Sequence, residues 1–432
     1  MIFQVLDLLG LRKNLRLKPL EMKKIQTKKL REIVWHAYWN VPFYHAKFRE
    51  AGIKPEDVRT VEDLARIPTT TKSEMQAVPL KEMIARNVDV NKCLRNRTSG
   101  STGIPLVILE DERAVSLQGA TFLRAFFEDG LRLSDKKAVI CDPRSFPKRK
   151  KWTQYLGIMR KEYLSIFDDA HKQLSFLENY AVDAIESYPS SLVILADLCR
   201  QWGHNVKPRV VFTLAEVLDR QTRKLISTAF ECELFDYYGS TEFGLMAWEC
   251  REYSGYHMNA DSLIMEFLKD GEIAAPGERG EIVCTTLINH AMPLIRYRIG
   301  DIGVPVGEQC SCGITLPLMA IMEGREDDFL VATDGRIIPP TVFFPYPFKD
   351  FEGIRQFRVV QEKRDQLTIQ IAAKENFLVN GKMLETAKME IQKLFGENMQ
   401  VDFRIVDKID RDSSGKLRKV VSNFPAKSAS LK

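Results

Sequence analysis

The chain reads as an α/β protein. The expected fold is a large N-terminal α/β domain with a β-barrel-like subdomain, followed by a small C-terminal α+β domain. Three observations predict this. Between residues 136 and 240, strand-like runs alternate with helix-like ones, as helices packed on a sheet require. From Asp261 the pattern changes to short strands separated by turns. After Arg325, two strand-like segments precede an amphipathic helical one, the content of a domain of about 100 residues.

Each element follows in order. Residues 12–31 hold nine Lys/Arg against one acid, Glu21. With Ile2, Phe3, Val5, Leu6, Leu8, Leu9 and Leu11 before them, they fit either a solvated helical face or peripheral contact with an anionic membrane through residues 1–31. Asp7 interrupts the apolar run and no basic segment precedes it, so it is not a plain export signal. Residues 29–66 predict helix broken at Pro42 and Pro55, and Thr60 and Asp63 have capping-box spacing before a short helix. KKAVICD (136–142) predicts a buried strand, HKQLSFLENY (171–180) a helix, and AIESY, RVVFTL and ELFDYYG further strands. SLIMEFLKDGEI, GEIVCTTL and MPLIRYRIGDIGVPV predict hairpins or a small barrel, with Asp270-Gly271 as a turn. RQFRVVQE and LTIQIAA predict strands and LETAKMEIQKLF a helix in the C-terminal domain.

Composition bounds the function. The chain has 432 residues, 45% hydrophobic and 28% charged, the mix of an ordinary globular protein rather than a disordered, collagenous or disulfide-stapled one. A net charge of +5 is too weak to argue for nucleic acid, and none is expected as a partner. No apolar run reaches the roughly 18 residues of a membrane span. Eight cysteines without an export signal predict reduced thiols in a cytoplasm, or metal ligands.

The densest local feature is Thr98-Ser99-Gly100-Ser101-Thr102-Gly103-Ile104-Pro105. Hydroxyls and glycines crowded in this way can wrap an anion with side-chain and backbone donors. The loop lacks the Lys of the common NTPase motif. Four further segments follow it: YYGSTE (237–242), YRIGD (297–301), GREDD (324–328) and DRDSSGKLRK (410–419).

These five motifs, in this order, resemble the adenylate-forming superfamily, and within it the phenylacetate–CoA ligase and CapK-like branch. The resemblance extends over roughly residues 30–425, and WNVPFYHAKFREAGI (39–53) also resembles the start of that branch. It implies the superfamily fold, with a large domain over residues 1–325, whose β-rich part spans about 260–325, and a mobile lid over 328–432. The hinge falls at 326–328, with Asp327 at its centre.

The resemblance also implies residue roles. Thr98, Ser99, Gly100, Ser101, Thr102 and Gly103 would hold the β,γ-phosphates of ATP. Tyr238 would stack on adenine, with Gly239, Ser240 and Glu216 beside the nucleotide. Thr241 would contact the α-phosphate, Glu242 would coordinate Mg²⁺, and Asp301 would accept hydrogen bonds from the ribose. Arg325 would approach the nucleotide, and Lys416 would enter the site during adenylation. The chemistry agrees with these roles. A carboxylate attacking an α-phosphate brings two anions together, which calls for positive charge and positioning rather than a covalent nucleophile.

The activity so implied is formation of an acyl-adenylate from a small carboxylate, followed by transfer to a thiol, CoA. Two other outcomes share the motif set. One is transfer to an amine, a sugar or a deazaflavin phenol; the other is a non-catalytic scaffold in envelope polysaccharide synthesis. Relatives carry a G-A-E-P-like pattern near the acyl and adenine pockets, where this chain has TLAEVLD (213–219), without the Gly and Pro. Neither the acid nor the oligomeric state is specified by the sequence.

Cys310-Ser311-Cys312-Gly313 and, upstream, Cys250 and His257 supply three thiols and an imidazole, a closed Zn²⁺ set. Their spacings differ from those of common zinc fingers, so the residues alone allow either a metal site or packing thiols. The branch resemblance implies structural zinc. The other five cysteines predict core thiols, and the other histidines structural or surface groups.

Overall fold

The computed structural model describes residues 2–98, 106–147, 152–320, 330–338, 353–373, 377–412 and 416–423. The chain forms two compact units, Met1–Leu131 with Phe235–Ile321, and Arg132–Leu234 with Met322–Lys432.

The first unit opens with helices Ile2–Asn14, Pro19–Asn40 and Pro42–Glu50. Pro19 and Pro42 stand at helix starts, where a missing N–H leaves no bond unmade. The helix expected from residue 29 therefore begins at Pro19. Its buried side carries Leu30, Ile33, Val34 and Ala37, which join Tyr44 and Phe48 in a core against Ile264, Leu287 and Ile295. The short helix expected after Thr60 is a 3-10 helix, Glu62–Arg66, and Asp63 Oδ2 accepts from the Thr60 N–H at 2.9 Å. The Thr60 hydroxyl donates to Asp63 Oδ2 at 3.1 Å rather than capping a helix N–H.

The strands of this unit are antiparallel. Their order is Glu272–Ile273, Leu263–Lys269, Gly280–Thr286, Tyr297–Val306, Leu318–Ala320, Tyr256–Met258, Gly244–Glu249 and Glu233–Ser240. Asp270 and Gly271 both take positive φ (53° and 89°), so the expected two-residue turn forms with the twist that suits a hairpin. A buried Arg124 ties the N-terminal helices to these strands. Its guanidinium grips Asp261 at 2.6 and 3.0 Å and donates to Asn259 Oδ1 and the Leu11 carbonyl. Such a buried, bidentate pair is costly to break from one side.

In the second unit, strands Arg160–Ser165, Lys136–Cys141, Ala184–Ser187 and Val210–Leu214 lie side by side, all parallel. The connecting helices are Ala170–Tyr180, Pro189–Trp202 and Arg220–Phe230. Asp169 and Asp219 cap the first and third through backbone N–H groups. Ala138, Ile140, Ile185 and Val211 pack on Leu174, Leu192, Leu195 and Phe230 of those helices. Parallel strands carry their ligand-binding residues at their carboxyl ends, which here are Cys141, Ser187 and Leu214.

The C-terminal segment of this unit is α+β. The hairpin Ile354–Lys363 and Gln366–Ala373 is flanked in parallel by Val420–Ser422 and Gln400–Ile405. Helix Gly381–Phe395 covers it through Ala387, Ile391 and Phe395. Among the described residues, no helix is long and apolar enough to cross a membrane.

Candidate active site

The YYGSTE segment is the end of strand Glu233–Ser240 and the turn into Gly244–Glu249. Strand alternation sends its two tyrosines to opposite faces. Tyr237 stacks on Phe126 with centroids 5.2 Å apart, and its hydroxyl donates to buried Asp129 at 2.8 Å. Tyr238 faces the other way and donates to Asp301 Oδ2 at 2.7 Å. Both rings are buried, yet neighbours in sequence have different partners.

The turn is closed by the Phe243 N–H, which donates to Ser240 Oγ at 3.2 Å. Phe243 is buried, whereas Thr241 and Glu242 keep partial exposure. Gly239 is required where it stands, because a Cβ there would lie 2.4 Å from the Gly244 carbonyl oxygen. Asp301 belongs to strand Tyr297–Val306. The buried thiol of Cys284 is pushed up by burial first, then by the carboxylates of Asp301, Glu266 and Glu242. These carboxylates are oxygen donors of the hard type that Mg²⁺ takes.

Thr98 is buried and closes the base of its loop. Its N–H donates to the Leu106 carbonyl at 3.0 Å, and its Oγ1 accepts from the Leu106 N–H at 2.9 Å. Ser99, Gly100, Ser101, Thr102 and Gly103 lie outside the described residues, as do Arg325 and the hinge residue Asp327.

In the second unit, Glu216 follows strand Val210–Leu214 directly. Ala215 between them has φ +69°, a left-handed conformation unusual for a residue with a Cβ, which turns the chain sharply before Glu216. The Glu216 carboxylate meets the start of helix Pro189–Trp202, accepting from the Ser190 N–H at 2.9 Å and the Ser190 hydroxyl at 2.9 Å. An anion is favoured at that helix end. The same carboxylate accepts from the Leu417 N–H at 2.6 Å, and Arg411 donates to Ser190 Oγ at 2.8 Å. Burial lowers the Arg411 pKa, and the Glu216 charge opposes that shift. Lys416 is one residue away, with its N–H on Asp412 Oδ1 at 3.0 Å and its carbonyl accepting from the Asp412 N–H at 2.9 Å. Lys419 pairs with Asp219 at 3.1 Å.

The structure therefore joins Tyr238 to Asp301 in one unit, and Glu216 to Leu417, next to Lys416, in the other. Ser190 lies in the Tyr188-Pro189-Ser190 segment, which the resemblance sets beside the same pockets as Glu216, whereas the contact of Arg411 was not read from the sequence. Arg411 stands inside the DRDSSGK segment, but only the folded chain gives it a partner 221 positions away.

Cys250, His257, Cys310 and Cys312 also converge, with all four donor atoms within 4.8 Å of one another. Cys250 Sγ and Cys310 Sγ are 3.6 Å apart, and Cys312 Sγ and His257 Nε2 are 3.4 Å apart. A tetrahedral zinc with bonds of about 2.3 Å to sulfur and 2.0 Å to nitrogen would set these separations at roughly 3.5–3.8 Å. Burial pushes His257 down to about 4, so its ring is neutral and able to ligate. The Ile314 N–H points at Cys312 Sγ, and the Ser254 hydroxyl lies 3.1 Å from Cys310 Sγ, as is usual around thiolates. The residues fit a closed structural metal site.

Comparison with known proteins agrees with this geometry. The family model of the CapK C-terminal domain matches residues 330–423. A phenylacetate-coenzyme A ligase of Pseudomonas putida is 27% identical over 342 residues, 74% of each chain. Protein CapK of Staphylococcus aureus is 22% identical over 426 residues, 94% of this chain and 90% of that one. Among solved structures, a 2-hydroxyisobutyryl-CoA ligase in the postadenylation state with 2-HIB-AMP superposes with a TM-score of 0.79 at 19% identity, covering 95% of this chain and 92% of that one. The fold is that of the adenylate-forming ligases. The ordered motifs and these relatives agree that the chain is similar to the adenylate-forming family.

Proposed function

We propose that this protein is an AMP-forming acid–CoA ligase. A carboxylate oxygen of the acid attacks the α-phosphorus of ATP, the bond to the bridging oxygen breaks, and pyrophosphate leaves. The CoA thiol then attacks the acyl carbonyl, losing its proton, and AMP departs. The observation that carries this reading is that motif residues far apart in sequence meet within each unit: Tyr238 is bonded to Asp301 in one, and Leu417, next to Lys416, to Glu216 in the other. Relatives named phenylacetate-coenzyme A ligase support it.

On this reading Tyr238 offers its ring to adenine and, by its hydroxyl, orients Asp301 for the ribose. Thr241 stands at the α-phosphate, the 98–103 loop at the terminal phosphates, and Arg325 near the nucleotide. Glu242 holds Mg²⁺, which when bound screens the phosphate charge. Lys416 supplies the positive charge where the two anions meet. The lid is residues 328–432, turning about Asp327, and its withdrawal takes Lys416 from the site before the thiol enters. This reading assigns the protein to the cytoplasm, where free cysteines stay reduced. A zinc ion on Cys250, His257, Cys310 and Cys312 fixes the strands around it and takes no part in the chemistry.

Carboxylate-dependent exchange of pyrophosphate into ATP, over a broad panel of acids, tests the first half-reaction. Lys416→Ala is expected to lower exchange by about 10²-fold or more while ATP binding persists; wild-type exchange in that variant would refute the role given to Lys416. Product mass then separates a CoA thioester from an amide, a sugar ester or an adenylylated phenol. Absence of exchange with every acid would favour a non-catalytic scaffold.

A further inference from the structure

We propose that the exposed face of helix Pro19–Asn40 docks this protein on an anionic membrane surface, with the groove beside Trp35 receiving lipid phosphate groups. This goes beyond the ligase reading and does not depend on it.

The helix has two unlike faces. Leu30, Ile33, Val34 and Ala37 are buried in the core of the first unit. Leu20, Lys24, Lys28, Arg31, Trp35 and Trp39 recur every three or four residues and are all exposed, so they form one stripe along the solvent side. Large apolar side chains are the unusual part of that stripe. Leu20 is 65% exposed, Trp35 55% and Trp39 54%, and in the preceding helix Val5, Leu6 and Leu9 are each more than half exposed. Water is a poor environment for so many in so short a segment.

The cations between them are available. Lys24, Lys28 and Arg31 make no ion pair among the described residues, whereas Lys23 is matched by Glu62 at 2.5 Å. A groove of about 1390 Å³ opens alongside, and Lys24, Lys28, Arg31 and Arg59 line it around Trp35, with Glu32 and Glu56 as its acids. Cations outnumber acids there, so the complementary ligand is anionic.

The apolar groups decide which anion. Phosphate in solution needs the lysines and the arginines but not a leucine and two tryptophans. A bilayer interface uses both, because indole rings settle at headgroup level while Lys and Arg reach the phosphates. The stripe has that arrangement, with cations in the middle and apolar side chains at each end.

The test is co-sedimentation of the full chain with vesicles of phosphatidylcholine containing about a third phosphatidylserine, against pure phosphatidylcholine. Binding is expected to the anionic vesicles only. It should vanish at about 1 M salt, where the screening length falls to about 3 Å. Lys24→Gln/Lys28→Gln/Arg31→Gln should weaken it on the order of 100-fold, because each cation near such a surface contributes about a factor of five. Trp35→Ala/Trp39→Ala should weaken it and remove a vesicle-induced blue shift of the tryptophan emission. Circular dichroism and pyrophosphate exchange should be unchanged in both variants, which shows that they fold. The proposal is overturned if the wild-type chain does not sediment with anionic vesicles, or if the triple variant binds as well as it does. It is equally overturned if inositol hexakisphosphate binds the groove while vesicles do not, since the ligand is then a soluble phosphate.

Discussion

The Leu417 N–H donates to Glu216 Oε1 at 2.6 Å, across 201 positions of sequence. The bond ties the residue next to Lys416 to the end of a parallel strand. It fixes where the lysine's backbone enters the second unit, and the same carboxylate is braced by Ser190. Hydrogen bonds to a charged acceptor contribute about 1.5–3 kcal/mol each. Glu216→Ala should therefore slow pyrophosphate exchange by about 10- to 100-fold. Thioester formation from preformed acyl-adenylate should change much less, because Lys416 serves only the first step. Equal losses in both half-reactions would show that Glu216 holds something other than the lysine loop.

Tyr238 and Asp301 make a second separable contact. Tyr238→Phe keeps the ring and removes the hydroxyl that orients the carboxylate. The expected result is a KM for ATP raised by about tenfold with kcat nearly intact, and Tyr238→Ala should be worse in both. A Tyr238→Phe enzyme with unchanged KM would mean that Asp301 is positioned without it.

Gly239 leaves no space for a methyl group, since a Cβ would meet the Gly244 carbonyl oxygen at 2.4 Å. Gly239→Ala must push apart the strand that carries Tyr238 and the strand that follows the Glu242 turn. Overpacking of this kind costs about 1–3 kcal/mol, so a lower melting temperature is expected together with loss of exchange activity. A variant that melts and exchanges like the wild type would contradict this account of the turn.

Asp129 gives a pH prediction. Burial holds its pKa well above the ordinary value of 3.8, and the Tyr237 hydroxyl only partly offsets that. The folded chain therefore keeps a proton that the unfolded chain has lost. The stability tied to Asp129 is complete below the unfolded pKa and is lost as pH rises through the folded one. Each unit of such a shift is worth about 1.4 kcal/mol. Asp129→Asn keeps an acceptor for Tyr237 without the charge. The variant's melting temperature should rise relative to the wild type as pH goes from acid to neutral. Melting curves that stay parallel over that range would show that Asp129 does not titrate there.

The four-ligand cluster predicts about one equivalent of zinc in protein purified without chelator. Cys310→Ser should bring this below about half an equivalent and lower the melting temperature by several degrees, with exchange retained at moderate temperature. A metal-free wild-type chain with unchanged stability would leave these residues as packed thiols.

Much of this was legible along the chain, because local rules govern it. The helix Ala170–Tyr180, the strand Lys136–Cys141 and the Asp270-Gly271 turn follow from periodicity and turn chemistry. The five motifs named the family because their residue types and order are unusual together. Boundaries were less legible. The helix from Pro19 begins before the segment that looked most helical, and the Thr60 hydroxyl bonds Asp63 rather than capping the 3-10 helix, since packing and not propensity sets such ends.

What the sequence determined by itself was chemistry: which carboxylates, hydroxyls, lysine and thiols are present, and the class of reaction they suit. What only the tertiary structure decided was partnership. Tyr237 and Tyr238 are adjacent and identical in type, yet one is bonded to Asp129 in the core and the other to Asp301, because a strand sends neighbours to opposite faces and only the fold says which face is which. Glu216 found Ser190 and Leu417, and Cys250 and His257 found Cys310 and Cys312, through contacts between segments far apart in the chain. Spacing carries no record of such contacts, because they are set by how the elements pack once formed.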